Sequence, residues 1–504
     1  MSERHSSGGL PNQPQTITLS KPVHPVDWRR LGFLLAGPAL FLLLYFSPSW
    51  PDAIDPAGKA FPLSPEGKAA IGLFLLASLW WVFEVVPIGV TSVLIAVVQA
   101  LFLIRDPKVA FKDFMDPSVW FIFGSIVIGM VFSKTGLTKR MAYKMLYVVG
   151  ERTSFIYLGA FLMTMAMTLI MAHTAVAAAL FPLLMAINSL YNEDNQPTRF
   201  GKGLFIGMAF VAGAGSIITL LGSARAAVAI GFFKDIVGRE ISFFELSYYM
   251  FPMGLGMTLL LWLFLLLVFP PEKKIIPGLR ARAADLYQRL GPITRAEIFT
   301  LVVVLSAILV LCLRSFLPFL ASLDKSAIIL VTLVLFFVFK ILDIEDLERI
   351  PWNIILLFGG AMSIGFCLWE TKAANWMAVM WLNLFKEAHW FVFILSIAFF
   401  VMVATNFIMN VAAIAISMPV ALVTAGYLGV APEVIFYASL TAAGMPFMLL
   451  VGAAPNAIAY ESKQFSSGEF FKVGVFASLI LMLVLGLFIL LIWPLMGLPI
   501  LSGK

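Results

Sequence analysis

Charged residues are scarce in this chain, since Asp, Glu, Lys and Arg form 12% of its 504 residues while 61% are hydrophobic. Soluble domains carry roughly 25% charged residues, so this deficit excludes an ordinary soluble protein. The chain has two cysteines, Cys312 and Cys367, both in apolar runs, which excludes a disulfide framework and metal-binding spacing. The apolar runs do not alternate with polar residues, which excludes a transmembrane β-barrel. The sequence therefore predicts an all-α polytopic membrane protein.

Two apolar blocks are too long for single spans, and each carries one strongly polar residue. Block 153–191 is interrupted by His173, and block 389–427 by Asn410. We interpret both as re-entrant hairpins. The rest predicts eleven spans, near residues 30–47, 67–86, 88–104, 117–133, 204–233, 245–270, 297–318, 326–342, 352–370, 433–460 and 472–497.

Basic residues in the short loops predict the orientation, because cytoplasmic loops are rich in Lys and Arg. These basic loop residues also account for the net charge of +6, so the charge does not indicate a nucleic-acid partner. The loop 271–296 and the stretch 134–144 fall on one side only if the first hairpin does not cross the membrane. The N-terminus is then cytoplasmic, the C-terminus outside, and the location the plasma (inner) membrane. The stretch "IRDPKVAFKD" argues against this, because Arg105, Lys108 and Lys112 would lie outside.

The two hairpin blocks contain similar sequences. "TLIMAHTAVAAALFPLL" (168–184) and "TNFIMNVAAIAISMPVA" (405–421) both start with Thr and share the spacing to a polar residue and to Pro. "LLGSARAAVA" (220–229) likewise matches "LVGAAPNAIA" (450–459). An odd number of spans separates the copies, so the second is inverted. Inverted repeats with broken helices are typical of secondary transporters with a binding site near the bilayer midplane.

These residues resemble the divalent anion:sodium symporter family of dicarboxylate and sulfate carriers. The resemblance covers about 67–497 and rests on "WWVFEVVPIGVTSVL", "KTGLTKR", "PWNIILLFGG", both hairpins and "APNAIAY". It implies a homodimer with a static scaffold and a transport domain that moves as an elevator. The expected division is a disordered cytoplasmic tail (1–29), scaffold helices (30–150 and 297–388), transport-domain segments (151–270 and 389–504) and a basic cytoplasmic loop (271–296).

The family has Ser-Asn-Thr at each hairpin tip, whereas this chain has Ala172-His173-Thr174 and Met409-Asn410-Val411. Broken helices expose backbone amides that attract anions and carbonyls that suit a hard cation such as sodium. The resemblance, together with the chemistry of the altered positions His173 and Arg225, predicts a substrate site at His173, Thr174, Arg225, Asn410, Val411, Pro455 and Asn456. It implies cation sites at Thr168, Ala172, Gly222, Thr405, Ile408, Asn410, Gly452 and Ala453. The alternative for a single such stretch is that Thr, Asn and small residues only pack helices together.

Two residues depart from the family pattern. His173 replaces an amide in the first cation site; it could bind substrate, supply a positive charge, or be a core histidine where a site was lost. Arg225 lies where the family is uncharged; it could pair with an anion, or reach the outer interface near Lys234.

The leading hypothesis is a secondary active transporter of a small anion such as a dicarboxylate, sulfate or a related oxyanion, coupled to a cation. A sodium-independent exchanger and a proton-coupled carrier are alternatives, with sodium or a proton as coupling ion and no other cofactor. A membrane-embedded enzyme would need a cluster of catalytic groups. A channel would not require inverted hairpins. Neither is favoured.

Overall fold

The structure, a computed structural model, describes residues 28–54, 60–83, 85–192, 194, 196–382, 389–407 and 409–502. Almost all of the predicted tail (1–29) and the candidate ligand Ile408 lie outside these residues. The helices are α1 Trp28–Phe46, α2 Pro65–Val82, α3 Ile88–Leu101, α4 Pro107–Lys112, α5 Pro117–Thr135, α6 Leu137–Val149, α7 Thr153–Thr168, α8 His173–Tyr191, α9 Arg199–Ser216, α10 Ala224–Val237, α11 Phe243–Val268, α12 Leu279–Arg289, α13 Arg295–Leu313, α14 Pro318–Ala321, α15 Lys325–Val338, α16 Ile344–Glu348, α17 Trp352–Glu370, α18 Ala373–Leu382, α19 Trp390–Phe407, α20 Asn410–Tyr427, α21 Pro432–Gly444, α22 Ala454–Tyr460, α23 Ser467–Leu487 and α24 Trp493–Leu495.

Minor elements complete the described fold. Short 3₁₀ turns cover Asp113–Met115 and Leu450–Gly452, and a π-helical segment, Phe488–Ile492, joins α23 to α24. Strands β1 (Ala53–Ile54) and β2 (Ala60–Phe61) pair antiparallel. The protein is thus all-α, as the sequence predicts.

Local sequence signals explain where the long helices begin. At α5, Asp116 accepts a hydrogen bond from the amide of Ser118, and Pro117 takes the first helical position, where no amide donor is needed. At α13, Thr294 and Glu297 form a reciprocal capping box. These polar caps mark the point at which the chain enters an apolar run.

Length and apolar composition suit eight described helices to membrane spanning. Five of them match predicted spans (α5 with the preceding α4, α11, α13, α17 and α23–α24), and three are hairpin arms (α8, α19 and α20). The other predicted spans correspond to the continuous helices α1, α2, α3 and α15 and to the broken helices α9–α10 and α21–α22. For the two broken helices the interruption explains the difference, because neither piece alone provides one continuous apolar span.

The helices repeat in the same order in the two halves of the chain. Span α5, short α6, hairpin α7–α8, broken helix α9–α10 and span α11 recur as α17, α18, α19–α20, α21–α22 and α23. We call α7–α8 hairpin 1 and α19–α20 hairpin 2. The segment 217–223 between α9 and α10 is break 1, and 445–453 between α21 and α22 is break 2.

Hairpin 1 starts and ends on the same side of the protein. At its start, the amide of Thr153 donates to the carbonyl of Lys274 (3.1 Å). At its end, the Tyr191 hydroxyl donates to the carboxylate of Glu272 (2.9 Å). Both ends therefore meet the beginning of the basic segment 271–296, as expected for a re-entrant element.

The exit of hairpin 2 lies at the opposite side. Arg239 bridges Glu245 (2.9 Å), at the start of α11, and Glu433 (3.0 Å), just after hairpin 2. Helix α11 has 26 residues, which corresponds to about 39 Å at 1.5 Å per residue. Its other end, Val268, leads to the hairpin 1 contacts. The two hairpins thus open towards opposite ends of α11, which gives the inverted arrangement.

Around the hairpins, helices of one repeat pack against helices of the other. Helix α22 of the second repeat packs against α8 and α9 of the first, while α10 of the first packs against α20 of the second. Outside this core, α5 packs with α13 and α15, and α17 packs with α2 and α3. The hairpins and broken helices therefore form one interlocked body with peripheral helices against it.

Arg105 is not a free loop charge. It is 7% exposed and bonds to Asp113 (2.7 Å) and to Glu370 (2.7 Å) at the end of α17. An arginine that is paired between helices does not count as a solvated charge in a basic loop, so Arg105 no longer argues against the predicted orientation.

Candidate functional site

Both hairpin tips and both breaks meet at one cavity of about 1260 Å³. This is the arrangement that the repeated motifs predict. The tips, the breaks and the first residues of α10 and α22 contribute these lining residues: Ala172, His173, Thr174, Met409, Asn410, Val411, Leu220, Leu221, Ser223, Ala224, Leu450, Gly452, Ala453 and Ala454.

The tip of hairpin 1 is fastened to break 1 through backbone groups. The amide of His173 donates to the carbonyl of Gly222 (3.1 Å), and its Nδ1 lies 3.3 Å from the same oxygen. The Thr219 hydroxyl donates to the carbonyl of Leu169 (2.9 Å). Helix α8 starts at His173 without a side-chain cap, so the next two amides of its first turn, those of Thr174 and Ala175, remain available near the cavity.

The tip of hairpin 2 holds break 2 through Asn410. The donors and acceptors around this side chain set its amide so that Nδ2 donates to Thr405 Oγ1 (3.0 Å) and to the Gly452 carbonyl (2.8 Å). The Thr405 hydroxyl in turn donates to the Ala443 carbonyl (3.1 Å). The oxygen atoms expected to bind a cation are therefore gathered in one place, where Thr405 Oγ1 and the Gly452 carbonyl both accept from the Asn410 amide nitrogen.

Two buried asparagines shape break 2. The Asn406 side chain accepts from the amides of Met448 (2.8 Å) and Leu449 (3.2 Å). Asn456 donates to the carbonyls of Pro446 (2.8 Å) and Leu449 (3.0 Å). These bonds satisfy backbone groups that the interrupted helix leaves open, as a membrane interior requires.

Equivalent glycines bring each break against its hairpin. A Cβ added at Gly222 would lie 2.5 Å from the carbonyl oxygen of Thr168, and one at Gly452 would lie 3.1 Å from that of Thr405. Side chains rarely tolerate such approaches, so glycine permits the close contact. Each threonine thus lies one turn before a tip and presents its carbonyl to a glycine of the break.

Arg225 is fully buried beside the second tip. Its Nη2 donates to Ser216 Oγ (2.6 Å), and its Nη1 donates to the amide oxygen of Asn410 (3.0 Å). Within the described residues no carboxylate pairs with it, and its Nε has no hydrogen-bond partner. A full positive charge is thus held behind the cavity wall, joining α10 of the first repeat to hairpin 2 of the second.

The mouth of the cavity is charged. Lys134 bonds to Asp343 (2.9 Å) and to Asp346, and the mouth also includes Glu345 and Arg349. It lies on the side of the basic segment 271–296, because Arg140, on the helix that follows Lys134, donates to the carbonyl of Gly291.

The predicted site residues fall into two groups. Those that line the cavity are Ala172, His173, Thr174, Asn410, Val411, Gly452 and Ala453. Those that lie behind its wall are Thr168, Gly222, Arg225, Thr405, Pro455 and Asn456. Ile408 is outside the described residues. The roles of all these residues in binding stay predictions.

Sequence reasoning missed four polar residues of this region: Ser216, Thr219, Ser223 and Asn406. Each lies within a break, at the edge of one, or next to a predicted ligand. Polar residues flanking the motifs in apolar sequence were the signal that could have identified them.

The match to a family model covers most of the chain: the model described as "Sodium:sulfate symporter transmembrane region" matches residues 56–498. A curated relative, the sodium-dependent dicarboxylate transporter SdcS of Staphylococcus saprophyticus, is 24% identical over 491 residues, covering 93% of this chain and 92% of that protein. SdcS of Staphylococcus aureus (strain bovine RF122 / ET3-1) is 25% identical over 498 residues, covering 94% and 93%.

Two solved structures share the fold. The YdaH transporter of Alcanivorax borkumensis gives a TM-score of 0.56 at 16% identity, covering 94% of this chain and 98% of its own. MtrF of Neisseria gonorrhoeae gives 0.54 at 13% identity, covering 92% and 93%. At these identities the likeness concerns the fold alone.

Proposed function

The chain belongs to the sodium:sulfate symporter family and is a membrane transporter of anions rather than an enzyme; we propose that it carries its substrate by an elevator movement. The observation that carries this proposal is the single cavity bounded by both hairpin tips and both breaks. The dicarboxylate named for the SdcS relatives, sulfate and related oxyanions form the first substrates to test.

The test is counter-flow into proteoliposomes that contain the purified protein. Vesicles preloaded with unlabelled succinate or sulfate should accumulate the same labelled anion, and empty vesicles should not. The control is a parallel preparation with protein-free liposomes. Absence of exchange for every anion in a broad panel of carboxylates and oxyanions would reject anion transport.

The elevator proposal divides the protein into a mobile body, 151–270 with 389–504, and a scaffold, 30–150 with 297–388. The exchange of partners between repeats supports it, because the hairpins and broken helices cannot move separately without breaking their shared packing. The scaffold contributes the facing wall of the cavity through α5 and α17. We also infer that two scaffolds associate in a homodimer.

A disulfide across this boundary tests the movement. A Cβ added at Gly129 of α5 would lie 3.2 Å from the Cβ of Ala175 in hairpin 1, close to the spacing of a disulfide. The double variant Gly129→Cys/Ala175→Cys, without Cys312 and Cys367, should lose transport on oxidation and regain it on reduction.

The matched control lies within the scaffold. A Cβ at Gly124 of α5 would lie 3.5 Å from the Cβ of Ile329 in α15. Oxidised Gly124→Cys/Ile329→Cys should transport normally, because neither helix would move relative to the other. Full transport by the oxidised Gly129/Ala175 pair would contradict the elevator.

Coupling without sodium is favoured by the Arg225–Asn410 bond (3.0 Å). Sodium binding at Thr405, Asn410 and the Gly452 carbonyl would require these oxygens to face the ion, and a guanidinium already bonds to one of them. A fixed positive charge in that place supplies the electrostatic role of a bound cation. We therefore propose exchange that needs no sodium ion, and equal counter-flow with sodium and with choline is the expected result.

The cavity mouth, on the side of the basic segment 271–296, is proposed to face the cytoplasm. The N-terminus is then cytoplasmic, the C-terminus outside, and the protein resides in the plasma membrane.

A further inference from the structure

The two halves of the cavity differ in chemistry, although the repeats that build them are equivalent. The first tip places the hydroxyl residue Thr174 in the wall, and the second tip places Val411 at the equivalent position. The polar residues beside them, His173 and Asn410, also differ. The substrate therefore meets two unlike surfaces.

The half formed by the first repeat suits an anion. Ser223 lines the cavity at the start of α10, is 3% exposed, and makes no side-chain capping bond. Its hydroxyl makes no hydrogen bond to another described residue and is thus free to donate into the cavity. Helix α8, with 19 residues, begins at His173 without a side-chain cap, and uncapped first-turn amides favour an anion. Thr174 adds a second hydroxyl.

The half formed by the second repeat is apolar where a ligand would touch it. Its lining side chains are Met409, Val411, Leu450, Ala453, Ala454 and Ala457, together with Asn410. The Asn410 amide is already engaged with Thr405, Gly452 and Arg225. Few polar groups therefore remain on this side for a second anionic group.

The scaffold wall opposite the tips is apolar too. Its large side chains are Ile122, Ile126, Met130, Ile354 and Phe358. Of its two serines, Ser125 donates to its own helix at the Phe121 carbonyl (2.9 Å), and Ser133 adjoins the mouth residue Lys134. The charged lining residues lie at the mouth. Burying a second negative charge against such surfaces would be costly, because a charge without partners loses its hydration.

The count of positive charges agrees with one anionic group. The mouth cations Lys134 and Arg349 are accompanied by three acids, Asp343, Glu345 and Asp346, whereas Arg225, bonded to Asn410 at the tips, has no acidic partner among the described residues. One guanidinium balances one negative charge. The cavity volume of about 1260 Å³ also leaves room for a body larger than sulfate, since typical ligand pockets measure about 300–1,000 Å³.

We propose that the preferred substrate is an organic monoanion with an apolar body, such as an aryl or alkyl carboxylate. Its carboxylate binds at Thr174, Ser223 and the first turn of α8. Its body lies against Val411, Leu450 and the scaffold wall. This proposal rests on the proposed function, because it specifies the substrate of the same cavity.

Binding to the purified full-length protein tests the preference, with phenylacetate, hexanoate, succinate and sulfate as probes. Phenylacetate and hexanoate should bind at least about tenfold more tightly than succinate or sulfate, because only they fill the apolar half. If succinate or sulfate binds tightly and the two monoanions do not, the substrate proposal fails while anion transport stands. If none of a broad panel of anions binds or exchanges, both fail.

Variants at Thr174 and Val411, the equivalent positions of the two tips, test which end of the substrate binds at each tip. Val411→Thr should raise succinate affinity relative to phenylacetate by several-fold, and Val411→Ala, which removes volume without adding a hydroxyl, should not. Thr174→Val should weaken every probe, and Thr174→Ser should retain binding. Equal effects of Val411→Thr and Val411→Ala on the succinate-to-phenylacetate ratio would overturn the assignment of the apolar end.

Discussion

Arg225 of the first repeat donates a hydrogen bond to the amide oxygen of Asn410 at the tip of hairpin 2, with 3.0 Å between the two atoms. The same guanidinium donates to Ser216 (2.6 Å). One buried side chain thus joins the end of α9, the start of α10 and the second hairpin. Its removal affects charge and geometry together.

Arg225→Ala should weaken anion binding about ten- to a hundredfold, because the site loses its nearby positive charge and Asn410 loses its donor. Arg225→Lys should recover part of the affinity, since an ammonium keeps the charge but cannot bond to both partners in the same planar geometry. Substrate titrations on folded protein give the measurement.

Sodium dependence provides a second readout for Arg225. If the guanidinium replaces a bound cation, Arg225→Ala should show uptake that sodium stimulates, and the unmodified protein should not. Arg282→Ala, in the exposed part of α12, is the control. If Arg225→Ala changed neither the affinity for the anion nor the response to sodium, Arg225 would have a packing role instead.

Gly222→Ala should lower thermal stability more than Gly452→Ala. The added methyl would lie 2.5 Å from the Thr168 carbonyl at the first position, and 2.8 Å from the Pro446 Cβ at the second. Overpacking of this kind costs about 1–3 kcal/mol. The melting temperature in detergent measures the effect. Gly256→Ala, where an added Cβ has no neighbour within 4 Å, is the matched control and should be neutral or stabilising.

Lys134→Ala should slow anion uptake at low ionic strength, because it leaves Asp343 and Asp346 unpaired at the mouth. The difference should shrink as salt is added, since salt screens exposed charges. Adding Asp343→Asn should restore part of the rate. An effect that persists unchanged at high salt would indicate a structural cause instead.

The effect of Lys134→Ala on the uptake rate should also stay constant between pH 5 and pH 8. The hydrogen bond from Lys134 lowers the pKa of Asp343 from 3.8 to about 2. Because the pKa of Asp343 is lower in the folded protein, the stabilisation from the Lys134–Asp343 pair is complete above the ordinary pKa of 3.8. It is lost only as the pH falls towards 2. Initial uptake rates across this range check the expectation.

Single cysteines should report the inverted hairpins. Asn192 follows hairpin 1, and Gly426, near the end of hairpin 2, is exposed with no atom within 4 Å of an added Cβ. In a background without Cys312 and Cys367, a membrane-impermeant maleimide should label the two positions from opposite sides of sealed vesicles. Labelling of both from the same side would reject the arrangement.

The architecture could be predicted because its signals are local. An apolar block longer than a span, interrupted by His173 or Asn410, indicates a hairpin without further information. Arg225 shows what such local signals do not predict. Its partners, Ser216 and Asn410, come from the preceding helix and from the other repeat, and no local pattern indicates whether a side chain faces a cavity or lies behind its wall. Arg105 was misjudged for the same reason, because Glu370, its partner, lies far along the chain.

The exchange of partners between repeats has a consequence for biosynthesis. Hairpin 1 is complete at Tyr191, but α22, which covers it, begins only at Ala454. Open backbone does not persist against lipid, so the nascent first half should remain immature until the last part of the chain emerges from the ribosome. A chain truncated before Ala454 should therefore show hairpin 1 accessible to protease while the full chain protects it, and equal protection in both would indicate that the first half matures alone.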